Sequence, residues 1–382
     1  MSGTDAVKRI SSVPEVLTIE WTDGTQSEFA SLWLRDNLRE DRDPHSGQRL
    51  VDIADLPAEP RIRSAVLADG AVSISWQNEA RAAAFEVNWL AAHAPERSAP
   101  REIPRAIWLE GATLDASRDF AWQTPAELRG NPAARFEWLR RLLRDGIAFF
   151  SGVPCKEEGI LEAVSPIGRV AETNYGRFFD VRSVPQPENL AYSDLGLGLH
   201  TDNPYREPVP GFQALHALIA SAAGGASLFA DGFALAEHLR CSDPAAFALL
   251  TRTAVPFLYR SKDAELFAER PLIQLSCRGE VTAVHYNSRS IAPLPIAAGD
   301  APAFYSAYRR LASLLRDPRF HLQYTLRDGD LVVFDNQRIL HGRTAFSSTR
   351  HARHLRGCYL TRDSVHCEAA RLRREFGPEP LA

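Results

Sequence analysis

The chain has 382 residues, 45% hydrophobic and 24% charged, with 44 basic residues set against 48 acidic ones for a net charge of -4. This is the composition of a globular protein long enough for more than one domain. The mixed, nearly balanced charge excludes a nucleic-acid footprint, and no apolar run reaches the roughly 18 residues that a membrane span needs.

The beginning, MSGTDAVKRISSVPEV, lacks the apolar centre of a secretory leader. Five scattered cysteines without a CxxC pair (Cys155, Cys241, Cys277, Cys358 and Cys367) point to a reducing, cytoplasmic setting. The first part of the chain reads as β. Residues 16–21 predict a strand followed by the hairpin turn Asp23-Gly24, and residues 62–67, Asp69-Gly70 and residues 72–76 repeat the pattern. Alternation of Val72, Ile74 and Trp76 puts three apolar groups on one face. Between the hairpins, LWLRDNLREDRDPHSGQRL predicts irregular, polar chain. All seven tryptophans lie between Trp21 and Trp138, and all nine tyrosines between Tyr175 and Tyr359. A Pro/Ala-rich stretch at 91–104 separates the two compositions, giving a small domain over 1–97 and a large one over 98–382.

The larger part is mixed. Helices are expected at 136–143, 232–239, 244–251 and 301–315, and strands at 147–150, 212–218, 281–286, 321–326 and 330–334. Many short strands broken by Gly, Pro and Asp turns predict a two-sheet β core rather than a doubly wound sheet. No Gly-rich fingerprint sits between a strand and a helix, which argues against a nicotinamide or ATP fold.

The segment GLGLHTDNPYREPVPGFQALH carries the chemistry. His200 and Asp202, two apart, share one face of a strand. With His341, at the end of the predicted strand LVVFDNQRILHGR, they make a two-histidine, one-carboxylate set. Such a set leaves three metal positions open and marks non-haem iron(II) oxygenases. Two positions suit a bidentate 2-oxo acid and one suits dioxygen. An HxD pair alone is common by chance, and His216, His238, His285 and His321 compete as third ligand. Arg353, on a strand expected to turn back beside the first, offers a planar fork for the far carboxylate of 2-oxoglutarate. Ser227 can add a hydroxyl there. Arg343 is either a second hold on the oxo acid or a surface charge.

In this order, HTDNPY, PGFQALH, GGASLFADGF, FDNQRILHGR and RHLRGCY resemble the gamma-butyrobetaine hydroxylase family of the taurine-dioxygenase-like oxygenases, over nearly the whole chain and including LWLRDN. The resemblance implies a mixed α/β, mainly β fold: a double-stranded β-helix (jelly-roll) catalytic domain with helices, preceded by a small β-rich domain. It implies a homodimer, with His200, Asp202 and His341 on Fe(II), Arg353 on 2-oxoglutarate, dioxygen as co-substrate and ascorbate as a candidate reductant. The implied reaction hydroxylates an unactivated C–H bond in a small zwitterionic trimethylammonium compound, gamma-butyrobetaine to L-carnitine, releasing succinate and carbon dioxide. Quaternary ammonium is held by aromatic faces, and Tyr175, Phe179, Tyr192 and Tyr359 match the family's cage, with Phe179 standing where the animal enzyme has tryptophan. Asn189 and Asn287 fall in pocket-shaping segments, and Arg289 is an extra cation suited to a carboxylate or phosphonate. One departure stands out. The family's zinc cysteines are missing from LRDNLREDRDPHSG, and the place of its later histidine is near Ala80. No structural zinc is therefore expected, and Trp21, Trp33, Trp76 and Trp89 must hold that domain by packing. A trimethylammonium phosphonate or trimethyllysine would use the same cage. A metal-dependent isomerase or hydrolase, or a binding protein without activity, would release no succinate.

Overall fold

The computed structural model describes residues 7–77, 79–97, 103–108, 114–182, 196–220, 224–345 and 353–377. The chain forms two compact units that divide after residue 102.

The first unit repeats one motif twice, three antiparallel strands and a short helix. β1 (Val7–Val13), β2 (Val16–Trp21) and β3 (Gln26–Ala30) lead into the helix Ser31–Asp36. β4 (Ile62–Ala68), β5 (Ala71–Trp76) and β6 (Ala82–Glu86) lead into the helix Val87–His93. The middle strands bury alternate residues, Leu17, Ile19 and Trp21 on β2 and Val72, Ile74 and Trp76 on β5. The apolar faces of the two sheets make one core. Trp33 and Trp89, one from each helix, meet there at 5.4 Å between ring centres. Asp69 (φ 52) and Gly70 (φ 78) are both left-handed, the backbone of the tight turn that keeps β4 and β5 in register.

The stretch expected to be irregular and polar is partly helical. Leu34 and Leu38, four apart, form a short apolar stripe and are buried. Charges are buried beside it: Arg35 pairs with Asp41 at 2.7 Å and with Glu79 at 3.0 Å, and Arg81 reaches Asp41 at 2.7 Å. The Pro/Ala-rich stretch starts inside the helix Val87–His93, because its alanines favour helix until the prolines intervene.

The second unit holds β7 (Trp122–Gln123), β8 (Ile147–Phe150), β9 (Phe179–Arg182), β10 (Leu197–His200), β11 (Phe212–Ile219), β12 (Ser227–Asp231), β13 (Val255–Arg260), β14 (Glu265–Arg270), β15 (Ile273–Leu275), β16 (Val281–Val284), β17 (His321–Tyr324), β18 (Leu331–Asp335), β19 (Ile339–Arg343) and β20 (His354–Leu360). Two sheets dominate. One has the order β7-β8-β18-β11-β20-β9, the other β10-β19-β12-β17. All their pairings are antiparallel except β7 with β8. Inward residues from both sheets, among them Phe149, Leu215, Phe229, Leu322, Phe334 and Leu355, form one core cluster, the layer of a double-stranded β-helix. The other face of the six-stranded sheet is covered by the helices Pro132–Asp145 and Arg362–Phe376 through Leu139, Leu142, Val365 and Leu372. The helices Gly232–Ser242, Pro244–Arg252 and Ala301–Leu314 build a further core with β13 and β15.

Three expectations change in detail. The chain over 330–343 is two strands, not one. Asn336 and Arg338, both buried, turn it, and Arg338 is anchored on Asp231 at 2.7 Å, so His341 lies inside β19 rather than at its end. β20 lies between β11 and β9, not beside β18 or β19, and Arg353 precedes its first residue. β16 stops at Val284 and, among the described residues, pairs with β15 alone, so Tyr286 and Asn287 lie beyond the strand.

Candidate active site

A cavity of about 430 Å³ is lined by residues of both sheets. That volume suits a small ligand. His200 and His341 are register partners across β10 and β19, with ring centres 4.3 Å apart. Gly342 permits this closeness, since a Cβ there would stand 2.4 Å from the carbonyl oxygen of Leu197. Asp202 lies two residues beyond the end of β10, so strand alternation does not place it. Asn336 does. Its Oδ1 accepts the Asp202 amide at 2.7 Å and its Nδ2 donates to the Asp202 carbonyl at 3.1 Å.

The three ligand atoms lie within 4.8 Å of one another, and among the described residues no other group of three or more His, Cys, Asp or Glu is arranged this way. His200 Nε2 is 3.3 Å from Asp202 Oδ1, and His341 Nε2 is 3.8 Å from Asp202 Oδ2. His200 Nδ1 lies 2.9 Å from the Gly198 carbonyl, so it carries the proton and turns the Nε2 lone pair to the centre. Burial, helped by the neighbouring His200, pushes His341 down to about 3 and keeps it neutral. Burial alone would raise the Asp202 carboxyl, but His341, His200 and the Tyr359 hydroxyl hold it well below the usual range. Two imidazoles and one carboxylate are the donor set that suits iron(II) with open positions.

Two buried arginines, Arg343 and Arg353, line the same cavity as the triad. Arg353 is pushed down to about 10 by its burial and by the nearby Arg343 charge. Ser227 is the register partner of Arg343, and all three line the cavity. Leu197, Leu215 and Leu355 supply apolar wall.

Aromatic rings line the cavity as well. Phe179 and Tyr359 pack at 5.1 Å, from β9 and β20. Tyr175 meets Tyr259 edge-on at 5.9 Å, and Tyr259 stacks on Tyr205 at 5.1 Å. The Arg206 guanidinium lies 5.7 Å from the Tyr175 ring centre, so this ring already faces one cation of the protein. Asn287 lines the cavity, with its Nδ2 donating to the Thr201 carbonyl at 3.2 Å and its Oδ1 buried without a partner. Arg289 stands exposed on the same cavity. Asn189 and Tyr192 lie outside the described residues.

The competing histidines fall elsewhere. His216 and His285 are buried away from the cavity, pushed by burial down to about 4 and about 3. His238 packs edge-on against Phe320 at 5.3 Å, and His321 lies 3.0 Å from the Leu315 carbonyl. Sequence reasoning missed Asn203, Tyr205, Tyr259 and Asn336. The first two lie within HTDNPY and the last within FDNQR, motifs already singled out for their neighbours. Tyr259 carries no local signal, since only the fold of the β13–β14 hairpin brings it to the cavity.

Residues 110–359 match the family described as Taurine catabolism dioxygenase TauD, TfdA family, and residues 9–91 match Gamma-butyrobetaine hydroxylase-like, N-terminal. A gamma-butyrobetaine dioxygenase of Pseudomonas sp. (strain AK-1) is 34% identical over 357 residues, 91% of each chain. Dioxygenase str8 of Strobilurus tenacellus is 31% identical over 360 residues, 89% of this chain and 84% of its own. Among solved structures, asparagine oxygenase in complex with Fe(II), 2S,3S-3-hydroxyasparagine and succinate aligns with a TM-score of 0.50 at 18% identity, over 62% of this chain and 82% of that one. That likeness concerns the fold alone. Among the described residues, no helix is long and apolar enough to cross a membrane.

Proposed function

The chain belongs to the TauD/TfdA family of Fe(II)- and 2-oxoglutarate-dependent dioxygenases, and we propose that it hydroxylates an unactivated C–H bond of a small trimethylammonium carboxylate, with gamma-butyrobetaine as the candidate substrate. The observation that carries this reading is one cavity lined at once by the triad, by Arg343 and Arg353, and by the rings of Tyr175, Phe179, Tyr205, Tyr259 and Tyr359. The similarity to a gamma-butyrobetaine dioxygenase over 91% of the chain supports it.

Each residue has a task in this reading. His200, Asp202 and His341 would hold iron(II) through their imidazole nitrogens and carboxylate. Arg353 takes the far carboxylate of 2-oxoglutarate with its fork, Arg343 adds charge beside it, and Ser227 a hydroxyl. Bound there, iron(II) and 2-oxoglutarate supply the oxidation, in which dioxygen and the oxo acid give succinate and carbon dioxide and one oxygen atom enters the substrate. Leu197, Leu215 and Leu355 keep water from the reacting carbon. The faces of Tyr175, Phe179 and Tyr359 attract the ammonium, and Tyr205 and Tyr259 extend that wall. Asn287 and Arg289 receive the anionic end. Asn189 and Tyr192 keep the pocket roles that the resemblance gives them. We place the enzyme in the cytoplasm as a homodimer, on the resemblance and the scattered cysteines.

Arg289 favours a second reading in substrate only. A guanidinium on the cavity suits a doubly charged phosphonate at least as well as a carboxylate. Succinate release tests both. Gamma-butyrobetaine should stimulate it more than the phosphonate analogue or trimethyllysine. Stimulation by none of the three refutes the trimethylammonium reading.

A further inference from the structure

Four hydrogen bonds run in series from the aromatic wall to the metal carboxylate. Tyr359 donates to Asp202 Oδ2 at 2.8 Å. Asn203 Nδ2 donates to the Tyr359 oxygen at 3.1 Å. Tyr205 donates to Asn203 Oδ1 at 2.6 Å. The Tyr175 and Tyr205 hydroxyls lie 3.3 Å apart.

The chemistry of the groups gives this chain a direction. A phenol has one hydrogen. Tyr359 commits its own to the carboxylate, so the Asn203 amide must present its NH2 to Tyr359 and its oxygen to Tyr205. Tyr205 then gives its hydrogen to Asn203, and Tyr175 must donate to Tyr205. Every donor points toward Asp202, and bonds in such a series polarise one another in the same sense. Asn203, Tyr205 and Tyr359 are buried, while Tyr175, at the start, is half-buried on the cavity. The backbone is shaped to the same end. Asn203 sits at φ 53, a left-handed conformation that a side chain other than glycine adopts at some cost, and Asn more readily than most.

We propose that Tyr205, Asn203 and Tyr359 are positioning residues, a one-way relay that holds one oxygen of Asp202 and makes the carboxylate's grip on the metal depend on what fills the aromatic wall. An aspartate carboxylate turns freely about its last bond unless it is held. With Oδ2 taken by Tyr359, the carboxylate is kept from turning, and its other oxygen is the one left for a metal ion. A cation seated against Tyr175 and Tyr205 presses on the far end of the same series. The dependence on the aromatic wall rests on the trimethylammonium reading above, whereas the hold on Asp202 does not.

The test uses the full chain with Tyr205→Phe, Tyr359→Phe and Asn203→Gly. The first keeps the ring and removes one hydroxyl. The last keeps the left-handed backbone and cuts the relay in its middle. Melting curves establish that each variant is folded, and should Tyr359→Phe fail to fold, the other two decide. Co(II) titration without substrate or oxo acid is the first readout. Loss of a group that orients a metal ligand costs about 10–100-fold in affinity. Tyr359→Phe should fall near the top of that range and Tyr205→Phe near the bottom. The second readout is the ratio of succinate formed with and without gamma-butyrobetaine. It should drop in Tyr205→Phe, while the half-saturating substrate concentration moves by less than about threefold because the ring face remains. A Tyr205→Phe enzyme with the parent's Co(II) affinity and the parent's ratio overturns the relay. If the parent itself ignores gamma-butyrobetaine, the substrate reading fails, and the Co(II) arm alone still decides whether the relay holds Asp202.

Discussion

Gly342→Ala offers a graded test of how the triad is assembled. The added Cβ would stand 2.4 Å from the Leu197 carbonyl oxygen and 3.1 Å from the Gly198 carbonyl carbon, both backbone atoms that cannot swing aside. Real Cβ contacts essentially never fall under 3.0 Å, so β10 must retreat from β19 by at least 0.6 Å, the difference between 3.0 and 2.4 Å. His200 rides on β10 and His341 on β19, so the retreat opens the gap between two metal ligands. A functional constellation tolerates about 0.5 Å of displacement, and about 1 Å costs roughly 100-fold. Affinity for Co(II) or Fe(II) should therefore fall about 10- to 100-fold, or about 1.4 to 2.7 kcal/mol. Gly198→Ala, on the same strand with nothing within 4 Å of its new Cβ, is the control and should bind metal like the parent. Calorimetric titration of both variants under anaerobic conditions is the assay. Parent-like affinity in Gly342→Ala would refute the view that close approach of these strands sets the metal geometry.

Arg353→Lys keeps a charge and loses the fork, so the half-saturating 2-oxoglutarate concentration should rise about tenfold or more with metal affinity kept; an unchanged value would move the anchor to Arg343. In the first unit, Asp41→Ala leaves the buried Arg35 with Glu79 as its remaining partner and should cost about 1.5–3 kcal/mol in urea unfolding followed by tryptophan fluorescence. A loss under about 0.5 kcal/mol would show the cluster to be a solvated surface pair. His216 and His285 are buried neutral, pushed by burial to about 4 and about 3. The unfolded chain protonates both near 6.5 while the folded one resists, so stability falls as pH drops below about 6.5 toward 4, by at most about 1.4 kcal/mol per pH unit for each histidine. Metal-free protein should therefore melt progressively lower from pH 7 to pH 5, and a flat profile would contradict the burial of these rings.

Short-range patterns in this sequence are faithful where one element decides the outcome. Alternation in β2 and β5, the Asp69-Gly70 turn and the helix around Trp138 and Leu139 all follow from residues within a few positions. The ligand identities were legible through the ordered motifs that resemble a known family, because by residue type alone four other histidines competed with His341. What misled was geometry set from a distance. The HxD spacing suggested a strand face, but Asp202 is placed by Asn336, 134 residues on, through two hydrogen bonds that no local pattern encodes. His341 looked terminal because the buried turn at Asn336 and Arg338 consists of polar residues that read as a continuing strand until their partners, Asp202 and Asp231, are known. Tyr259 entered the wall only through the β13–β14 hairpin. In the first unit, the stretch that lacks thiolates holds Arg35 and Asp41, with Glu79 and Arg81 on either side of Ala80, and that network is invisible until the two repeats are packed together.

The most direct test of the central claim is succinate release by the full chain with iron(II), 2-oxoglutarate and dioxygen, comparing gamma-butyrobetaine with the neutral isostere in which a tert-butyl group replaces trimethylammonium. The two share shape and anionic end and differ in the charge that the ring faces attract, an attraction of about 0.5–2 kcal/mol per ring. The account predicts succinate formation that depends on the cation, with the isostere weaker by about tenfold or more. Equal stimulation by the two compounds, or by neither, would contradict it.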